Sequence, residues 1–291
     1  MTPPRRSRPP RRGGAGVPRG FRPLKRLSQN FLVDVEIARK IVDLCRIEPT
    51  DTVIEVGPGT GALTGFLLER AKRVHAVELD RKLFARLGVE YDSEPRLVLH
   101  EDDILKVRIR DLVPEGKVVV VGNLPYSITS DLVLWLLDQH RDVRRAVVLM
   151  QREVARRLTA EPGTRAAGNL TLRLRYRAEA ESILEVPPGA FRPVPKVTSS
   201  LVAFRFLEEP AVHPRDEDLF FRVIRASFGK RRKTLVNALS GGLTLPRDTV
   251  KEVVREAGID PRERGERLTL EEFRDLADHL RERLDARTEE G

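Results

Sequence analysis

Three glycines at alternate positions, Gly57, Gly59 and Gly61, follow the run Val53-Ile54-Glu55-Val56 and precede Ala62 and Leu63. The pattern reads as a strand, a tight loop and the start of a helix. Glycine lets the backbone turn sharply and approach a ligand with no Cβ in the way, and a following helix presents unpaired N–H groups in its first turn. The G-x-G-x-G spacing lacks the extra residue of the dinucleotide fingerprint, which disfavours nicotinamide and flavin cofactors. A glycine turn with no ligand is the competing reading. Further along, Asn123-Leu124-Pro125-Tyr126 joins an amide side chain, a proline that fixes the backbone and frees the preceding carbonyl, and an aromatic ring. The Asn123 side-chain oxygen and the Leu124 main-chain oxygen can accept both hydrogens of a nucleobase amine while Tyr126 stacks on the base. Such an amine is a poor nucleophile because its lone pair is delocalised into the ring; orienting it towards an electrophile needs no strong general base.

The surrounding elements must bring these residues to one edge. Val74–Glu78 reads as a second strand, and Glu78, 21 positions beyond Gly57, is placed to accept ribose hydroxyls. Leu97–His100 gives a third strand, and an acid of Glu101-Asp102-Asp103 at its end can receive an adenine amine. The fully apolar Val118–Val121 suits the middle of a parallel sheet and puts Asn123 at its carboxyl end. Asp34 is the expected N-cap of a helix through Cys45, Trp135 sits on a helix from Asp131 to Leu137 as a core residue, and Ala146–Met150 is a fifth strand. Gln151 to Leu158 reads as a further helix with Arg152, Arg156 and Arg157 outward. Alternation in Leu170–Tyr176 and in Leu201–Phe206 predicts an antiparallel pair at the sheet edge. Between them the proline-rich loop Val186–Val197 presents Phe191 as an exposed stacking platform beside Arg192 and Lys196, core packing of Phe191 being the alternative. From about Pro210 the pattern is helical throughout, with Thr269 and Glu272 spaced as a capping box. There the run Lys230-Arg231-Arg232-Lys233 reads either as a phosphate contact or as solvated surface.

Composition narrows the class. With 291 residues and 40% hydrophobic content the chain can bury a sizeable core and hold a large domain and a smaller one. The single cysteine, Cys45, excludes an internal disulfide framework and fits a reduced, cytoplasmic setting; the histidines lack ligand spacing and no apolar run is long enough to span a membrane. Neither metal nor membrane is indicated. The formal charge of +9 is local: residues 1–33 carry nine of the 53 basic residues and no acid, and the remaining 44 are balanced by 44 acids. Nucleic-acid binding by the folded body must therefore rest on patches. Residues 1–22, rich in arginine, proline and glycine, are expected to form a disordered tail, read as extra phosphate affinity, as a solvated extension or, less readily given its prolines, as a transit peptide.

Gln29-Asn30-Phe31-Leu32, Glu55-Val56-Gly57-Pro58-Gly59-Thr60-Gly61, Val77-Glu78-Leu79-Asp80, Asn123-Leu124-Pro125-Tyr126, Phe191-x-Pro-x-Pro-Lys-Val197 and the run from Gly229 to Thr234 together resemble the ribosomal RNA adenine N6,N6-dimethyltransferase family, over roughly residues 25–280 and in the family's order. The resemblance implies an α/β, Rossmann-like class I S-adenosylmethionine-dependent methyltransferase with a mostly parallel seven-stranded sheet over residues 23–209, and a small helical RNA-contacting domain over 210–291. It also implies S-adenosylmethionine bound at Asn30, Leu32, Gly57, Glu78, Asp103 and Asn123. Asn123, Leu124, Pro125, Tyr126 and Phe191 form the catalytic set, and RNA contacts fall at Arg192, Lys196, Lys230, Arg231, Arg232 and Lys233. The implied reaction is dimethylation of two adjacent adenosines near the 3′ end of small-subunit ribosomal RNA, on a partly assembled subunit, by a cytoplasmic monomer. The related large-subunit enzymes of macrolide resistance share the Gln-Asn-Phe-Leu and glycine motifs, but the Asn-Leu-Pro-Tyr form and Lys230 to Thr234 look more like the small-subunit group. A largely non-catalytic assembly or mitochondrial transcription factor and a DNA adenine methyltransferase are the other readings.

Overall fold

The computed structural model describes residues 30–229 and 233–289. The tail over 1–22, Gln29 and Lys230 to Arg232 lie outside the described residues. The chain divides into two compact units, one running up to Ala155 and including Glu181–Phe206, the other made of Arg156–Ala180 and the chain from Leu207 onward.

In chain order the elements are β1 (Phe31–Leu32), α1 (Val35–Leu44), β2 (Thr52–Val56), α2 (Thr64–Leu68), β3 (Arg73–Glu78), α3 (Arg81–Glu90), β4 (Leu97–Glu101), α4 (Ile109–Leu112), β5 (Val118–Asn123), α5 (Thr129–Asp138), β6 (Val143–Gln151), α6 (Arg152–Leu158), α7 (Asn169–Arg177), β7 (Ala178–Val186), β8 (Phe191–Arg192) and β9 (Ser199–Phe206). Seven strands form one sheet in the order β4-β3-β2-β5-β6-β9-β7. The pairs from β4 to β6 are parallel and β9 joins β6 antiparallel, so the expected mostly parallel seven-stranded sheet is present. The order turns back between β2 and β5, and the loops leaving those two strands face one crevice, where open α/β sheets bind ligands. Val53, Val74, Val119 and Val121 pack one face of the sheet against Ile41, Phe66 and Leu67 of α1 and α2. Asp34 caps α1 by accepting from Ile37 N at 3.0 Å, and the Trp135 indole donates to the Val107 carbonyl at 2.8 Å, both as expected of a cap and a core aromatic.

Two expectations fail. Residues 170–176 are not an edge strand but most of α7, and Leu201–Phe206 pairs instead with β6. The alternation of Leu and Arg over seven residues suits either period, yet both are good helix formers, and the Thr171 hydroxyl accepts from Gly168 N at 3.0 Å to start the helix. The expected domain boundary at 209/210 also shifts, because 156–180 belongs to the second unit. There Leu172 and Tyr176 of α7 join a core with Phe220 and Ile224 of α8 (Glu217–Phe228), Leu235 of α9 (Leu235–Leu243), Val253 of α10 (Arg247–Glu256) and Phe273 of α11 (Leu270–Glu289). Tyr176 donates to Glu217 Oε2 at 2.9 Å. The capping box before α11 is formed, Thr269 N donating to Glu272 Oε2 at 2.8 Å and Glu272 N to Thr269 Oγ1 at 3.2 Å.

The strands β3 and β4 also bring together two histidines that sequence spacing leaves apart. His75 Nδ1 lies 3.1 Å from His100 Nε2 with the rings stacked. Burial, with the His100 and Arg73 charges nearby, lowers the His75 pKa from 6.5 to about 4. The unfolded chain therefore binds the extra proton between those values, so this contribution to stability is lost as pH falls from about 6.5 through about 4. Melting temperature is expected to drop across that window, and His75→Gln should flatten the drop; an unchanged pH profile in that variant would refute the assignment.

Candidate active site

The cleft at the carboxyl edge is built from the ends of four strands and the ribbon of β1. Gly57 and Gly59 both hold positive φ, +63° and +60°, which a side-chain-bearing residue adopts only with strain. A Cβ at Gly57 would meet nothing within 4 Å, whereas one at Gly59 would touch the Phe31 ring at 3.2 Å. The first glycine thus keeps space in the cleft open, and the second lets β1 close over the loop.

The three glycine amides of the loop are not offered to a ligand. Gly57 N donates to the Val77 carbonyl at 3.0 Å, Gly59 N to Glu78 Oε2 at 3.0 Å and Gly61 N to the Pro58 carbonyl at 2.9 Å. The helix after the loop, α2, begins only at Thr64 and has five residues, so the expected contribution from a helix N-terminus is absent from this site. A phosphate-cradling loop would leave such donors free. Here the cleft is instead lined by the acids Glu55, Glu78, Asp102 and Asp103 and, among the described residues, by no lysine or arginine. Its field opposes phosphate and favours a ligand carrying positive charge.

The acids differ in state. Glu78 is buried; its two oxygens accept from Gly59 N and from Asp80 N, the latter at 2.8 Å. Burial pushes its pKa up, and those backbone bonds pull it back. Each oxygen keeps a lone pair for a further donor. Glu55 is 1% exposed and accepts from the Thr64 hydroxyl at 2.8 Å; burial, against that bond and with Glu78 adding to it, raises its pKa from 4.5 to about 8. Asp103 Oδ1 accepts from Leu105 N at 3.1 Å, which holds its carboxylate at the cleft wall. Thr60 Oγ1 is a buried polar atom with no hydrogen-bond partner among the described residues, and Leu79, 53% exposed, gives an apolar wall with Ile104. Glycine space, acids, an orphan hydroxyl and an apolar wall fit a cationic adenosine-type ligand. Glu55, Thr60, Leu79 and Ile104 were not singled out from sequence as binding residues; the one available signal was a large apolar residue directly after the strand-ending Glu78.

Asn30, Leu32, Gly57, Glu78, Asp103 and Asn123 all line this cleft, so six residues scattered over 94 positions of sequence come together in one place. Asn123 ends β5; its Nδ2 donates to the Asn30 carbonyl at 3.2 Å, which turns Oδ1 away from β1. Pro125 also lines the cleft, Leu124 has its side chain buried and its N–H donated to the Leu149 carbonyl at 3.3 Å, and the half-buried Tyr126 has its hydroxyl 2.9 Å from Ser199 Oγ. Phe191 departs from expectation. It is 1% exposed and belongs to the core, paired across the two-stranded ribbon with Leu32. Its ring packs inward with the core of β1 and α1, so it is no exposed platform. Arg192 and Lys196 are exposed; Arg192 Nη1 donates to the Phe191 and Gly189 carbonyls at 2.8 and 3.2 Å. Lys233 is exposed. Among the described residues no His, Cys, Asp and Glu group is arranged to hold a metal ion, and no helix is long and apolar enough to cross a membrane.

Residues 20–282 match the ribosomal RNA adenine dimethylase family. A protein of Desulfitobacterium hafniense (strain DSM 10664 / DCB-2) named ribosomal RNA small subunit methyltransferase A is 41% identical over 266 residues, covering 91% of this chain and 95% of its own. A protein of the same name from Alkaliphilus metalliredigens (strain QYMF) is 42% identical over 261 residues, covering 88% and 91%. Among solved structures, the 23S rRNA methyltransferase ErmE superposes with a TM-score of 0.68 at 27% identity, over 87% of this chain and 100% of that one. A dimethyladenosine transferase from Plasmodium falciparum has the same fold, with a TM-score of 0.69 at 24% identity over 84% and 94%.

The raised pKa of Glu55 gives the ligand-free protein a pH signature. Between 4.5 and about 8 the folded state holds a proton that the unfolded chain releases, so stability falls as pH rises through that window. Glu55→Gln, which can still accept from Thr64, is expected to raise the melting temperature most above pH 8 and little below pH 5. Equal melting curves for variant and parent at pH 8.5 would overturn this.

Proposed function

The chain belongs to the ribosomal RNA adenine dimethylase family, and on that premise we propose that it transfers methyl groups from S-adenosylmethionine to N6 of two adjacent adenosines near the 3′ end of 16S ribosomal RNA. The observation that carries the chemistry is the union, in one cleft, of an acid-lined, phosphate-averse cofactor site with an Asn-Leu-Pro-Tyr turn at the end of β5. The small-subunit target is supported by identities of 41% and 42% to proteins named for that subunit, against 27% to the 23S enzyme.

The bound cofactor supplies an electrophilic methyl group on a positively charged sulfur. Glu78 would accept the ribose hydroxyls through the lone pairs that Gly59 and Asp80 leave unused, Asp103 would accept the adenine amine, and Leu79 and Ile104 would flank its ring. Asn30 and Leu32 cover the site from β1. For the substrate, Asn123 Oδ1 and the Leu124 carbonyl accept the two N6 hydrogens and turn the lone pair towards the methyl group. Because the Asn30 carbonyl holds the NH₂ end of Asn123, the oxygen is the end presented to the amine. Tyr126 stacks on the base, which must leave its helix to reach the cleft. Burial of Phe191 leaves the stacking role to Tyr126, with Phe191 supporting Leu32 from behind. Arg192, Lys196 and Lys233 contribute phosphate contacts at the surface.

Asn123→Ala is expected to lower the methylation rate at least 100-fold on unmethylated small subunits, an effect of the order seen when one oriented polar group is removed, with the melting temperature little changed. Retained dimethylation would refute the role. Mapping N6-methylated adenines in total ribosomal RNA with and without the protein tests the target; methylation confined to 23S RNA would overturn the small-subunit assignment.

A further inference from the structure

We propose that Ser199 is a positioning residue for methyl transfer, its hydroxyl fixing where the far end of the Tyr126 ring sits through the 2.9 Å bond between Ser199 Oγ and Tyr126 Oη. This rests on the reading of Tyr126 as the ring that stacks on the target base.

The two partners are held very differently. Tyr126 opens a single 3-10 turn, Tyr126–Ile128, in which no residue is buried. The backbone of that turn is tied down: Pro125 restricts its entry, Ile128 N donates to the Pro125 carbonyl at 3.2 Å and the Thr129 hydroxyl to the Tyr126 carbonyl at 3.4 Å. None of these bonds reaches the ring. Packing does not lock it either, because the side chain is only half-buried. Its hydroxyl is the remaining handle.

Ser199 is, by contrast, 1% exposed and fixed by the sheet. It begins β9 opposite Gln151 of β6, and the preceding carbonyl, of Thr198, accepts from Arg152 N at 3.0 Å. The bond therefore joins a rigid strand to a half-buried ring that no backbone bond of its turn reaches, 73 positions apart in sequence. Gripped at its far end, the ring cannot swing about the Cα–Cβ bond, and a base laid on it is held at one place relative to Asn123. Losing the bond spreads the base over many poses, few of which align N6 for in-line attack. The effect falls on turnover, since the cofactor contacts lie on other strands.

Full-length protein, S-adenosylmethionine and purified small subunits lacking the methyl groups provide the test, with Tyr126→Phe, which removes only an oxygen, probing the same bond from its other side. Ser199→Ala and Tyr126→Phe are each expected to lower kcat roughly ten-fold, about what one hydrogen bond supports, with KM for the cofactor within about two-fold of the parent. The double variant should be no slower than either single. Wild-type kcat in Ser199→Ala, or losses that multiply in the double variant, would overturn the proposal. If Tyr126→Ala and Asn123→Ala lose activity while Ser199→Ala does not, the tether alone fails; if those two keep full activity, the reading of the whole site fails with it.

Discussion

Most of the carboxyl edge of the sheet hangs on one buried carboxylate. Glu78 reaches from the end of β3 to Gly59 in the loop after β2, and with its other oxygen to the backbone of Asp80. Asp80 in turn caps α3 through Lys82 N and Leu83 N. One side chain thus sets the path of the glycine loop and the start of the next helix. A carboxylate in a dry interior is costly unless it is well bonded, and two backbone donors are what allow Glu78 to remain there. The same group helps set the sign of the field in the cleft, while Glu55 below the loop, its pKa raised by burial to about 8, adds little charge near neutral pH. Architecture and selectivity therefore share an atom group.

A second constraint crosses the chain at longer range. The short strand β1 and the residue just before it touch both functions: Asn30 holds the Asn123 amide 93 positions away, and Leu32 lies opposite Phe191 in the ribbon with β8. The residues expected to cover the cofactor thereby orient the residue expected to hold the substrate amine. Phe191 is the buttress of that arrangement, and its burial follows from it. An aromatic side chain behind a two-residue strand supplies the apolar contact that so short a ribbon cannot supply through backbone bonds alone.

Much of this was legible in the residues. Strand-ending acids, alternate glycines and Asn-Leu-Pro-Tyr after four valines each carry local signals, and the parallel sheet follows from runs apolar on both faces. What escaped has a common cause. The burial of Phe191, the His75 and His100 pair, the bond from Tyr126 to Ser199 and the neutral tendency of Glu55 all depend on distant neighbours, which spacing along the chain does not encode. The helix over 170–176 escaped for a different reason: a seven-residue alternation fits both periods, and what favours the helix is the Thr171 hydroxyl, which accepts from Gly168 N and donates to the distant Arg157 carbonyl. The internal use of the glycine amides was likewise invisible, since a phosphate loop and this one are both written in glycine.

The acid lining of the cleft has a consequence for the other reactant. A polynucleotide carries its negative charge on the backbone and none on its bases, so a cavity walled by Glu78, Asp102 and Asp103 sorts the parts of one nucleotide by their charge. It repels the phosphates and admits the heterocycle. Contacts that draw the backbone in must then lie outside it, and within the same unit the exposed Arg192 and Lys196 are available for that. On the proposed function, a nucleotide meets both only when its base is extended away from its strand.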